Sequence, residues 1–371
     1  GVYFKVNQKG MDEMMEAFSA MGGELFVMDD GWFGNKYPRN GGNSSLGDWE
    51  VCKEKLPEGI EGLLASARKH HIKFGIWIEP EMSNTKSELF EKHPDWILKI
   101  DNRPLSTGRG KTQVVLDLTN PKVQDYVYGV VDNLMTKYPG IAYFKWDCNS
   151  PITNIYSPYL KDQQSHLYIE YVRGLYNVLE RIKQKYPNLP MMLCSGGGGR
   201  CDYEALKYFT EFWPSDNTDA VERIFIQWGY SYFFPAKSMA AHVTSWGKQP
   251  VKFRTDVASM CKLGFDIRIH EMSQTDQQYC KEAVANFKRL DDVILDGDQY
   301  RLQSPYESQH AAVMYANDNA DKAVLFAFDI HPRYAESIHP LRLEGLKEDA
   351  RYELKEINLI PGTQSRLACN G

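Results

Sequence analysis

From residue 24 to residue 263, stretches that read as buried strands alternate with stretches that read as amphipathic helices. That alternation leaves few architectures open. A short strand at 2–4 leads into a helix over 9–21, with Met14, Met15, Phe18 and Met21 on one face. Strands are then expected at 24–28, 72–78, 114–118, 141–146, 191–194, 209–213 and 239–243, the last being the candidate final strand. Helices are expected at 60–70, 86–92, 122–137, 162–185, a short one from Tyr203, 220–229 and 253–263. Pro121 suits the first turn of its helix. About eight strand–helix units in series point to a (β/α)8 barrel. An open doubly wound sheet is the runner-up, but no Gly-x-Gly-x-x-Gly follows a first strand. After the helix ending near Leu295 the texture changes to short strands without helices, at 300–302, 312–315, 323–328, 341–343 and 352–354. The expected fold is therefore α/β: a (β/α)8 barrel over 1–296, followed by a small antiparallel β-sandwich domain over 297–371.

The run Ile141-Ala142-Tyr143-Phe144-Lys145-Trp146-Asp147-Cys148-Asn149 rises out of a Pro-Gly turn and ends in Lys-x-Asp. Side chains two apart on a strand share a face, so Lys145 and Asp147 point the same way. In a closed parallel barrel the C-terminal strand ends are where catalytic groups sit. An ion pair closing off the strand accounts for the two residues equally well at this point. Acidic residues also collect at the other strand ends, as Asp29, Asp30, Glu79, Glu81 and Asp216. Such a set suits paired carboxylates flanking a glycosidic bond, a magnesium site, or caps and turn formers. Asp219 fits helix N-capping. Lys145 in the same cluster would repel a magnesium ion, and its ammonium favours an ionised Asp147. Cys194-Ser195 and the four glycines up to Arg200 are not a phosphate-binding loop, because no Gly-Lys-Ser/Thr follows. A glycine run after a strand lets the backbone pass close to something bulky, such as a sugar ring. No Gly-x-Ser-x-Gly is present, and His70-His71 lacks metal-ligand spacing and reads as structural.

Bulk properties narrow the partners. A formal net charge of −6 and the absence of a basic run argue against nucleic acid. No apolar segment approaches the roughly 20 residues of a membrane helix. The 22 Tyr and 8 Trp suit stacking on flat or amphipathic ligands, although an aromatic core accounts for them as well. Seven cysteines, an odd number without Cys-x-x-Cys, indicate neither a disulfide framework nor a zinc site, and read as mostly reduced thiols. The chain has no initiator Met or signal peptide and is expected to be a piece of a longer protein, which leaves its compartment open between cytoplasm and periplasm.

Six motifs occur in the order seen in one family. They are Asp29-Asp30-Gly31-Trp32-Phe33-Gly34, Gly47-Asp48-Trp49, Trp77-Ile78-Glu79-Pro80-Glu81-Met82, Lys145 through Asn149, Cys194 through Arg200, and Trp213-Pro214-Ser215-Asp216-Asn217-Thr218-Asp219-Ala220. Together they resemble the α-galactosidases of glycoside hydrolase family 36, over about residues 1–300, and the β domain resembles that family's C-terminal domain. The resemblance implies a retaining hydrolase of terminal α-galactosides that uses no metal or cofactor. Asp147 matches the nucleophile and Asp216 the acid/base, with Asp219 as the fallback for the second role. Asp29 and Asp30 match the pair that holds the sugar's O4 and O6. Trp77 and Trp213 match the pocket walls, Lys145 and Arg109 the donors to O3 and O4, and Cys194 with Gly196 the region around the 2-substituent.

The sequence departs from the family pattern in two places. The loop 107–112 that carries Arg109 is longer than in many members. The large N-terminal β domain of full-length members is expected to be missing from the sequence as given. In the family that domain helps build a homo-oligomer and lends residues to the pocket, so the chain as given is expected to bind or turn over substrate poorly. An α-N-acetylgalactosaminidase, a galactosyl transferase on the same site, and a catalytically weak sugar-binding fragment are the alternatives. Intact carboxylates at both 147 and 216 argue against the last.

Overall fold

Four short parallel strands, each preceded by a helix, organise residues 24–210 in the computed structural model. The structure describes residues 1–335, 340–365 and 367; Cys369 lies outside them. By packing, the chain divides into two units, described in turn: residues 2–19 with 24–210, and Gly1 and 20–23 with the described residues from Glu211 onward.

In the first unit α1 (Gln8–Met21) buries Met11, Met14, Met15 and Phe18 at helical spacing. Next come β1 (Leu25–Met28), α2 (Gly59–Lys69) and β2 (Lys73–Ile78), with β1 and β2 parallel. After β3 (Met82–Asn84), α3 (Glu88–Lys92) and β4 (Gln113–Val115), α4 (Pro121–Lys137) starts on an Asn120 cap with Pro in its first turn. β5 (Ile141–Trp146), α5 (Leu167–Lys185) and β6 (Met191–Leu193) complete the unit, in the sheet order β1-β2-β5-β6. α5 buries Leu167, Tyr171, Leu175, Val178, Leu179 and Ile182, a stripe along one face. Gly75 lets β2 approach β5, because a Cβ there would stand 2.9 Å from that of Tyr143. The register pairs Ile78 with Trp146, so the chain leaves β2 and β5 at the same level, at Glu79 and Asp147.

In the second unit β7 (Glu211–Phe212), α6 (Ala220–Tyr230), β8 (Ala240–Val243), α7 (Val251–Ala258), β9 (Lys262–Phe265) and α8 (Gln274–Asp296) continue the alternation. Phe212 bridges Met239 in parallel, and β8 pairs with β9 in parallel. β10 (Asp298–Gln303), β11 (His310–Ala316) and β12 (Ala323–Asp329) then form an antiparallel sheet. One core joins α6, β8, α7 and α8 to that sheet through Ile224, Trp228, Val257, Val293, Val313 and Phe328.

Several local expectations are corrected. Residues 2–4 form a turn rather than a strand. The run at 114–118 is not a strand of the parallel sheet: β2 pairs directly with β5, and β4 pairs antiparallel with β3. It looked like a barrel strand because Gln113, Val114 and Val115 are all buried, which a two-stranded ladder folded against the protein achieves as well. The helix expected over 162–185 starts only at Leu167, after a 3₁₀ turn at Gln164–His166. That expected over 253–263 ends at Ala258, and Leu263 belongs to β9, which replaces 239–243 as the last parallel strand. Residues 341–343 and 352–354 are described without strand pairing.

Candidate active site

Asp147 sits where β5 ends. Its amide donates to Ile78 O at 2.8 Å, which ties it to the neighbouring strand, and its side chain is 6 % exposed. Four donors converge on the carboxylate. Trp77 Nε1 (3.2 Å) and Asn149 Nδ2 (2.7 Å) donate to Oδ2, while the amides of Cys148 (2.8 Å) and Gly196 (3.3 Å) donate to Oδ1. Gly196 makes its approach with φ +56°, a left-handed conformation that glycine adopts without strain. A carboxylate so surrounded is held in one orientation with its charge solvated by protein dipoles.

Lys145, two residues earlier on the same face, donates to Asp29 Oδ2 at 2.7 Å. Asp29 is thus its ion-pair partner, and Cys194 and Asp147 also act on its charge. Burial works against the ammonium, but Asp29 foremost holds it protonated well above the usual lysine range. Crowding by protein atoms pushes the Asp29 carboxyl up, and the charge and hydrogen bond of Lys145 more than offset this, leaving it below the usual range. More than half of the Asp29 side chain, 57 %, remains open to solvent.

Asp30 turns inward. Arg39, fully buried, grips it with Nε and Nη2 at 2.9 Å each, and spends Nη1 on Ser44 O (2.7 Å) and Asn84 Oδ1 (3.0 Å). Burial pushes the Asp30 carboxyl up against the pull of that fork. Arg109 Nη1 stands 3.7 Å from Asp30 Oδ2, so the loop at 107–112 delivers its guanidinium to Asp30.

The strand-end glutamates differ from each other. Glu81 is fully buried and satisfied by Trp146 Nε1 (2.8 Å), Tyr171 Oη (2.8 Å) and Arg200 Nη1, 2.8 Å from its Oε1. Arg200 also donates through Nε to Ser195 Oγ at 2.6 Å, so Glu81 anchors the glycine run rather than facing a ligand. Glu79 accepts from Gln113 Nε2 (2.7 Å) and the Asn149 amide on Oε1. Burial first, then the neighbouring Asp147 charge, pushes its carboxyl up to about 8. Trp32 braces the assembly by donating from Nε1 to Trp77 O at 3.0 Å, and Asp48 serves as a cap, accepting from the amides of Glu88 and Leu89 at 2.9 Å.

The first unit therefore brings together Asp29, Asp30, Trp77, Arg109, Lys145, Asp147, Cys194 and Gly196, with Cys194 buried and its amide on Trp146 O at 2.7 Å. In the second unit Trp213 Nε1 donates to the exposed Asp216 at 2.9 Å. Arg223 stacks its guanidinium 4.5 Å from the Trp213 ring and bonds Ser215 O and Asn217 O, which fixes the loop that carries Asp216. Asp219 accepts from the amides of Val221 (2.9 Å) and Glu222 (3.3 Å) as the N-cap of α6. Among the described residues no cluster of His, Cys, Asp and Glu is arranged to hold a metal, and no helix is long and apolar enough to cross a membrane.

A family model for melibiase matches residues 1–297. The chain belongs to the melibiase family. Residues 310–366 match the C-terminal domain of glycosyl hydrolase family 36. The melibiase-family chain is 37 % identical over 369 residues to α-galactosidase AgaA of Geobacillus stearothermophilus, covering 98 % of this chain and 50 % of that protein. The crystal structure of that enzyme superposes with a TM-score of 0.89 over 94 % of this chain and 48 % of its own. An α-galactosidase structure from Lactobacillus brevis, 32 % identical, gives 0.90 over 94 % of this chain and 47 % of its own. The fold class is a (β/α)8 barrel followed by an antiparallel β domain. The chain spans about half the length of the curated relatives it matches.

Sequence reasoning missed Arg39, which lies in a loop away from every strand end, and gave Asn149 and Arg223 no role. The Lys-Trp-Asp-Cys-Asn run offered a signal for Asn149, since a side chain two residues past an aspartate can turn back to it. Nothing in the pattern marks Arg39 or Arg223 as buried.

Proposed function

We propose that this chain carries the catalytic machinery of a retaining α-galactosidase, with residues 1–296 as the catalytic domain and 297–371 as the C-terminal β domain. The observation that supports this most is the Asp147 carboxylate, buried and aimed by four donors beside the Lys145–Asp29 pair. In this reading Asp147 attacks the anomeric carbon as the bond to the leaving oxygen breaks, and Asp216 gives that oxygen a proton. Trp213 holds one Asp216 oxygen, leaving the other to carry the proton. Water then gives its proton to Asp216 and displaces Asp147 from the anomeric carbon. Two inversions return the original configuration.

Asp29 and Asp30 accept from the hydroxyls at O4 and O6, Lys145 and Arg109 donate to O3 and O4, and Trp77 and Trp213 flank the ring. Cys194 and Gly196 stand by the 2-substituent. The substrate class is terminal α-galactosides of oligosaccharides, and no metal or organic cofactor enters the scheme. A panel of aryl α-galactosides and α-N-acetylgalactosaminides, with NMR of the first-formed sugar, tests it. Release of α-galactose first, with the galactosides preferred, is expected. β-Galactose first contradicts retention.

A further inference from the structure

Glu79 is a buried titratable group that the reaction scheme above leaves unused. It is 0 % exposed and sits at the end of β2, level with Asp147 at the end of β5. One residue connects the two carboxyls: Asn149 donates its amide to Glu79 Oε1 and its side-chain Nδ2 to Asp147 Oδ2 at 2.7 Å. Both donors that reach Glu79, Gln113 Nε2 and the Asn149 amide, sit on Oε1. Glu79 Oε2 and Gln113 Oε1 are buried acceptors without a donor. An ionised glutamate has only acceptors to offer there, whereas a proton turns one orphan acceptor into a donor.

We propose that Glu79 is a positioning residue that works as a neutral acid, holding Asn149 in place so that Asn149 orients the Asp147 carboxylate. The functional half of this rests on Asp147 being the nucleophile. The groups that act on Glu79 agree with its neutrality. Asp147, which follows β5, and Asp30, which follows β1, both push its carboxyl up, the Cys148 thiol is pushed up by Glu79 in turn, and no cation ranks among the main influences on its carboxyl. Burial and the Asp147 charge hold its proton on up to about pH 8. A second anion level with Asp147 would compete for Asn149, and the neutral form avoids this.

The test has a spectroscopic arm and a kinetic arm. The carboxyl stretch is recorded in the infrared for wild type and Glu79→Gln from acid to alkaline pH. A buried protonated-carboxyl band at neutral pH, lost with a midpoint of about 8 and missing in Glu79→Gln, is expected. Absence of that band in wild type at neutral pH overturns the proposal. This arm needs no turnover, so it stands apart from whether α-galactosides are the substrates. In the kinetic arm Glu79→Gln, which keeps a neutral acceptor, should exceed Glu79→Leu in kcat by about tenfold or more, with KM similar. A glutamine variant as impaired as the leucine variant overturns it, because the charge is then what matters. Should either variant not fold, Asn149→Ala keeps the infrared band and should lose roughly 10- to 100-fold in kcat, with KM little changed. An unchanged kcat there overturns the positioning role.

Discussion

The indole of Trp77 donates to Asp147 Oδ2 across 3.2 Å while its own carbonyl accepts from Trp32, so a tryptophan tied down by its neighbour holds the Asp147 carboxylate. Trp77 is 1 % exposed and stacks against Phe33, with ring centroids 6.2 Å apart. Trp77→Phe removes one hydrogen bond to a charged group and keeps most of the packing. A bond of that kind is worth about 1.5–3 kcal/mol, so kcat should fall roughly 10- to 100-fold with the fold intact. Steady-state kinetics together with a thermal melt check both halves.

Arg39 is the counterpart for Asp30, fully buried and spending three nitrogens on protein acceptors. Removing one partner of a buried pair strands the other charge. Arg39→Met is therefore expected to destabilise the protein by about 3–5 kcal/mol, measured by denaturant unfolding. Arg39→Lys should rescue only part of this, because an ammonium cannot reproduce the two-pronged grip.

The second-unit aspartates are expected to separate cleanly. Asp219→Ala removes a helix cap and should cost about 1 kcal/mol of stability with little effect on kcat. Asp216→Asn should lower kcat about 10²- to 10⁴-fold on substrates with poor leaving groups, and much less on activated aryl galactosides. Comparing the two variants on two leaving groups assigns the proton donor.

Glu79 makes stability depend on pH in a direction opposite to most carboxylates. Its folded-state pKa of about 8 lies above the ordinary value, so the native state binds the extra proton. Its contribution is complete below the unfolded pKa, is lost as pH rises, and is gone above about 8. Between those limits stability should fall by about 1.4 kcal/mol per pH unit relative to Glu79→Gln. Parallel unfolding curves from acid to mildly alkaline pH measure that difference.

How far the sequence revealed this follows from which forces leave a mark on it. Lys145 and Asp147 were visible because charges at the end of an apolar strand contradict their surroundings, and the two-residue alternation of a strand put them on one face. The ion-pair partner of Lys145 was not visible, since it is Asp29, just past the end of β1 and distant in the chain. The strand β9 was hidden because Lys262-Leu263-Gly264-Phe265 follows α7 after a short turn without a proline, and its residues are only partly buried. Gln113 through Val115 showed the burial of a barrel strand without being one. Arg39 left no mark, because a buried arginine is recognised only by the acceptors that the fold gathers around it.

The most direct measurement is to trap the intermediate. A fluorinated α-galactosyl fluoride that reacts quickly and hydrolyses slowly should leave a galactosyl ester on one peptide, and mass spectrometry of the digest locates it. The account predicts that ester on Asp147 and its absence in Asp147→Asn. An ester on any other carboxylate, or turnover of galactosides by Asp147→Asn at the wild-type rate, would contradict it.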